Sequence, residues 1–116
     1  MKVYLEGMDQ KRDLAPEIQA QLIRIVQEAL SNTRKHAKAQ QVWVSFRTSN
    51  NDLILEIRDD GHGFSPEDIP IPSRHGMRGM RERADLIRAE FQVISRPQEG
   101  TIVSLRLPMT IREMGT

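Results

Sequence analysis

Apolar residues along this chain fall into two alternating rhythms. Ile18, Leu22, Ile25, Val26, Ala29, Leu30 and Ala37 recur at three- and four-residue spacing, which predicts a long helix over 16–37. Pro16 suits the first turn of that helix, where a missing N–H costs nothing. Ahead of it, residues 2–6 alternate as a short strand, and a polar connector runs to Leu14. Val42, Val44 and Phe46 alternate with polar or mixed residues, as do Leu53, Leu55 and Ile57. The linker Ser49-Asn50-Asn51-Asp52 is rich in turn formers, so the two runs read as a β-hairpin. From Asp60 to His75 the periodicity lapses, with Gly61, Gly63, Pro66, Pro70 and Pro72 in close succession. A loop of that length in a small domain is usually functional or disordered. Met77, Met80, Ala84 and Leu86 or Ile87 then mark a second helix over 77–89. Phe91–Ser95 and Ile102–Leu107 read as two more strands around the turn Pro97-Gln98-Glu99-Gly100, and the tail 109–116 is expected to fray.

This order predicts an α/β fold of the α+β kind: a two-layer sandwich with a mixed, mostly antiparallel sheet covered on one face by helices. The length of 116 residues suits a single domain over 1–116, with 1–14 as first strand and connector. A hydrophobic fraction of 38% and a charged fraction of 28% argue against wholesale disorder. The net charge of +1 gives no footing for a nucleic acid or an anionic membrane as partner. The absence of cysteine excludes disulfides and thiolate chemistry and suits a cytoplasmic setting. No apolar run approaches the roughly 20 residues of a membrane span, so no direct membrane contact is expected, although a longer parent protein can be anchored.

Three places carry candidate chemistry. On the long helix, Glu28, Asn32 and His36 are spaced four apart and form one row, with Asn32 and His36 at the border between core and solvent. An Asn amide oxygen suits Mg²⁺, which takes its remaining ligands from phosphate and water. Glu28 is placed to hold a metal-bound water or accept a proton. The plainer reading is a solvated polar stripe with a histidine near the helix end. The second place is Asp59-Asp60-Gly61-His62-Gly63, where an alternating strand runs into two acids and two spaced glycines. A shielded carboxylate there needs a donor such as an adenine amino group, and the glycines admit close approach of a flat ligand. The plainer reading is an Asp-Gly turn leaving a strand. The third is Arg74-His75-Gly76-Met77-Arg78-Gly79-Met80-Arg81-Glu82-Arg83. Two glycines opening a helix would expose N–H groups to a phosphate, with Arg78 adding charge-assisted bonds. Flexible loop glycines before a basic face are the alternative. Together, in this order, the three describe one nucleotide pocket.

Residues Glu28–Ala37, Asp59–Gly63 and Gly76–Met80 resemble the N box and the two glycine boxes of the ATP-binding domains shared by histidine kinases, DNA gyrase, Hsp90 and MutL. Gly100-Thr101 matches a recurrent Gly-Thr pair, and the resemblance runs from about Leu14 to Pro108. Gln27–Asn32, His36–Ala39 and Gly76–Arg83 look like the nitrate-sensor type of bacterial sensor histidine kinase. Gly76-x-x-Gly79 departs from the Gly-x-Gly of the wider family, and the phosphate contacts are the part this leaves open.

The resemblance implies a Bergerat-type fold, ATP and Mg²⁺ as cofactors, and a short lid over 64–75. It implies Asn32 on Mg²⁺ with Glu28 beside it, both catalytic, and Asp59 accepting from the adenine amino group. Gly61 and Gly63 would admit the nucleotide. His36, His75, Gly76, Met77, Arg78, Gly79 and Met80 would lie along it, and Thr101 would back up Asp59 through its hydroxyl or a shared water. It further implies transfer of the γ-phosphoryl group to a histidine on a separate dimerisation domain of the parent, and relay to a response regulator receiver domain. His36, His62 and His75 all sit in or beside ATP motifs, so none is read as the acceptor. The isolated domain is expected to be monomeric and to bind ATP without phosphorylating itself. The rival readings are an anti-sigma-factor serine kinase and a module that binds ATP without transfer.

Overall fold

In the computed structural model, the described residues are 1–7, 14–65, 67, 69 and 71–108, apart from the side chains of His36 and Ala37. The connector 8–13 and the tail 109–116 lie outside them, as do lid residues 66, 68 and 70. The elements run β1 (Lys2–Glu6), α1 (Pro16–Asn32), β2 (Gln41–Ser49), β3 (Asp52–Asp59), α2 (Ile71–Leu86), β4 (Glu90–Ser95) and β5 (Thr101–Pro108). The five strands form one sheet in the order β1-β2-β3-β5-β4, with β1 parallel to β2 and every other pairing antiparallel. Asn50 and Asn51 both take positive φ between β2 and β3, the conformation that a tight two-residue hairpin needs. The mixed, mostly antiparallel sheet is thus present as the pattern predicts.

α1 and α2 lie on one face of this sheet. Ile18, Leu22, Ile25 and Ala29 from α1 and Met80 and Ala84 from α2 join Val42, Val44, Phe46, Leu53, Leu55, Ile57, Val103, Leu105 and Leu107 in one core. Ile25 is wholly buried, which is worth about 1.5–3 kcal/mol relative to exposure for a side chain of that size. The opposite face carries no helix among the described residues and is built to meet water. Tyr4 stacks on Trp43 with ring centroids 5.9 Å apart, and the Arg58 guanidinium lies 4.8 Å from the Trp43 ring. Ile54 also points to that side yet is 3% exposed. Its register neighbours are Arg47 and Arg106, whose alkyl stems suit such cover while their heads stay hydrated.

Two helix boundaries depart from the pattern. The helix predicted over 16–37 is continuous, but its last five residues, Thr33–Ala37, form a π-turn that Lys38 ends in the left-handed region. The second helix spans 71–86 rather than 77–89, so the loop after β3 is shorter than predicted and its last residues are helical. Pro72 belongs to the first helical turn, where proline is well tolerated because the N–H it lacks has no partner there. Leu86 is the last helical residue because Ile87 and Arg88 turn the chain, Arg88 with φ of 58°.

Candidate nucleotide site

Along β3, Leu53, Leu55, Ile57 and Asp59 point to the same, helix-covered face, because strand side chains alternate. The strand therefore ends by placing one carboxylate at the edge of the core. Asp59 is 6% exposed. Its Oδ1 accepts the Gly61 N–H at 2.8 Å, and its Oδ2 accepts the Thr33 hydroxyl at 3.2 Å. Burial raises its pKa above the ordinary 3.8, with the nearby Asp60 charge adding to the rise; donors from Gly61, Thr33 and the Thr101 backbone pull the other way. Asp60 has a different task. It faces solvent, and its Oδ1 accepts the N–H groups of Gln40 and Gln41 at 2.9 Å each, which lowers its pKa and ties the start of β2 to the end of β3.

Asp59 lies in the wall of a cavity of about 250 Å³. Ala29, Ile57, Met77, Met80 and Val103 supply apolar surface, and Asn32, Thr33, His62, Gly63, Phe64 and Thr101 complete the lining. A flat heteroaromatic ring fits such a space: apolar atoms for its faces, and one anchored carboxylate for an exocyclic donor. A second cavity of about 280 Å³ is lined by Arg24, Gln27, Glu28, His75, Gly76, Gly79, Met80 and Arg83. Met80 lines both. A Cβ at Gly76 would collide with Glu28 Oε1 and lie 3.0 Å from Asn32 Nδ2, so a larger residue there would push these two side chains aside.

The expected residues are therefore mostly brought together, though not always in the expected way. Asn32, Asp59, Gly63, Met77, Met80 and Thr101 share the first cavity, while Glu28, His75, Gly76 and Gly79 share the second. Arg78 is exposed and lines neither. The His36 side chain lies outside the described residues. Gly63 has φ of 65° and packs so closely on the Arg96 and Gly100 carbonyls that no side chain fits, whereas Gly61 keeps an ordinary φ and contributes its N–H.

One expectation needs correction. Gly76 and Gly79 do not open a helix: they follow its first four residues, so their N–H groups lie within the intrahelical bonding pattern. The Thr101 hydroxyl meets Ser95 Oγ at 2.8 Å, the hydroxyl directly on Asp59 belongs to Thr33, and Thr101 reaches Asp59 through its backbone N–H. Thr33, Phe64 and Ser95 were not singled out from the sequence. Ser95 was read only as the end of a strand, and nothing local marked its partners.

With this geometry in place, the comparisons are informative. Residues 17–111 match the family described as histidine kinase-, DNA gyrase B-, and HSP90-like ATPase. The chain belongs to that family. Its relatives include the oxygen sensor histidine kinase NreB of Staphylococcus carnosus, 40% identical over 81% of this chain and 27% of NreB. DegS of Brevibacillus brevis, a signal transduction histidine-protein kinase/phosphatase, is 36% identical over 89% of this chain and 27% of its own length. The sensor protein VraS of Staphylococcus aureus is 37% identical over 94% and 30%. The chain thus spans less than a third of these relatives. Among solved structures, the blue-light activated histidine kinase of Erythrobacter litoralis EL346 superposes with a TM-score of 0.77 at 26% identity, covering 92% of this chain and 35% of that one. This is a histidine-kinase-type ATPase domain, and ATP is the ligand its family implies.

Proposed function

We propose that the domain binds Mg-ATP and donates the γ-phosphoryl group to a histidine on a separate dimerisation domain of a parent sensor kinase. The observation that carries this reading is Asp59: one carboxylate, held by Gly61 N–H and the Thr33 hydroxyl, facing an otherwise largely apolar cavity. In this reading the adenine amino group donates to Asp59 while Ile57, Met80 and Val103 pack on the ring. Asn32 of the first cavity and Glu28 of the second both lie against Gly76. An amide and a carboxylate one helical turn apart fit Mg²⁺, which tolerates few protein ligands. When bound, Mg²⁺ neutralises charge on the phosphates. Arg24, His75 and Arg83 border the second cavity, so the phosphate chain runs from Asn32 towards them. The bond from the γ-phosphorus to the bridging oxygen breaks, a bond to the acceptor imidazole nitrogen forms, and ADP leaves. Relay to a receiver-domain aspartate completes the proposed pathway.

Calorimetric titration with a non-hydrolysable ATP analogue, with and without Mg²⁺, tests the site. Wild type should bind, Asp59→Asn should abolish binding, and Asn32→Ala should remove the Mg²⁺ dependence. A folded wild-type domain that binds no adenine nucleotide would sink the reading.

A further inference from the structure

α1 and α2 run antiparallel where they touch: Asn32 and Glu28 lie against Gly76, while Gln21 meets Arg83. The cavity of about 280 Å³ lies between them. Going outward from Asp59, Asn32 lines the base cavity and Glu28 lines the second one. Arg24, also in the second cavity, is two turns before Asn32, about 12 Å back along α1 at 1.5 Å per residue. On α2 the same passage leads from Gly76 to Arg83, so the groove ends between two guanidinium groups. Arg83 is half-buried and held in place: its Nη1 donates to Gln21 Oε1 at 3.2 Å, a bond from helix to helix that uses one of the five N–H donors of its fork. A Cβ at Gly79 would meet nothing within 4 Å, so α2 leaves the cavity open on that side. Two guanidiniums against the carboxylate of Glu28 make this lining positive even with His75 neutral.

We infer, on the Mg-ATP reading of the site, that Arg24 and Arg83 distinguish a nucleoside triphosphate from a diphosphate, and that Gln21 positions Arg83 to do so. The base at Asp59 and the metal at Asn32 fix the near end of the ligand. The terminal phosphate is the part farthest from the base, and it lies towards the two arginines. A guanidinium makes strong, often paired hydrogen bonds to phosphate oxygens. ADP lacks the terminal group, so its phosphates end nearer Asn32 and leave both side chains to water. Once the phosphoryl group has been transferred, these contacts no longer hold the product, which favours exchange of ADP for ATP.

Calorimetric titration of the 116-residue chain in Mg²⁺ compares a non-hydrolysable ATP analogue with ADP. Arg24 is exposed, so Arg24→Gln removes a charge without disturbing the core. Arg24→Gln and Arg83→Gln should each raise the Kd of the analogue roughly tenfold, as for one lost bond to a charged group, and that of ADP less than about twofold. Arg24→Lys keeps the charge but not the fork and should lose less than Arg24→Gln. Gln21→Met removes only the acceptor that orients Arg83. It should raise the Kd of the analogue about threefold in the wild-type background and add nothing once Arg83 is Gln. An effect that persists in that background would overturn the positioning role of Gln21. Equal losses for the analogue and ADP, or no loss for either, would overturn the discrimination by Arg24 and Arg83 and leave the Mg-ATP reading standing. A folded wild type that bound neither nucleotide would overturn both.

Discussion

Asp59 is stabilised and penalised by the same surroundings. Burial raises its pKa, so between the unfolded value near 3.8 and the higher native value the folded state holds more protons than the unfolded one. Stability from this group is therefore fully present below pH 3.8 and falls as pH rises through the native value. Replacing the charge should relieve that cost. Asp59→Asn keeps an oxygen for the Gly61 N–H and offers an amide to the Thr33 hydroxyl. It should unfold in urea with stability at pH 7 equal to wild type within about 1 kcal/mol or higher, and with a flatter pH profile just above pH 4. A loss of several kcal/mol would show that ionised Asp59 is a net support of the fold. Asp60 works in the opposite sense: its lowered pKa contributes stability that disappears only as pH falls below the ordinary range. The two neighbours differ because strand alternation turns Asp59 inward and leaves Asp60 in water.

Both helices carry their chemistry where their geometry is irregular or lacks side chains. The π-turn over Thr33–Ala37 directly follows Asn32, and it accompanies a Thr33 hydroxyl that reaches Asp59 while Asn32 still lines the cavity. Such turns inside α-helices occur frequently at functional sites. In α2 the two glycines play unlike parts. A Cβ at Gly76 would displace the Glu28 and Asn32 side chains, whereas one at Gly79 would meet nothing within 4 Å. Gly79→Ala should therefore stabilise the domain by about 0.5–1 kcal/mol and raise Tm by a few degrees, checked by thermal denaturation. A lower Tm would mean that α2 is not helical at this position. The start of α2 was missed in the sequence because Pro70 and Pro72 were read as loop markers. Pro16 had been read correctly as a first-turn residue; Pro72 occupies the equivalent place, but no apolar period preceded Met77 to reveal it.

Among the described residues, one core lies between two helices and the sheet, and no helix covers the other sheet face. The exposed His62 and His75 line the two cavities, His62 from the loop after β3 and His75 from the start of α2. If the proposed transfer is right, the 116-residue chain incubated with labelled Mg-ATP should not accumulate acid-labile phosphate, and adding the parent's dimerisation domain should produce it there. Stable phosphohistidine on the chain alone would contradict the reading.

The periodicity of apolar residues was enough to determine the elements and their order, apart from the start of α2. These follow from helix and strand geometry, which repeats over a few residues and needs no distant partner. Motif spacing likewise picked out Asn32, Asp59 and Gly76 as members of one site. What only the tertiary structure decided were contacts between segments far apart in the chain: Thr33 on Asp59 across 26 residues, Phe64 on Ser95 across 31, and Gly76 between Glu28 and Asn32. No local pattern encodes such pairs, because each depends on how two elements are placed against a shared core. The separation into two cavities that share Met80 is likewise a product of packing.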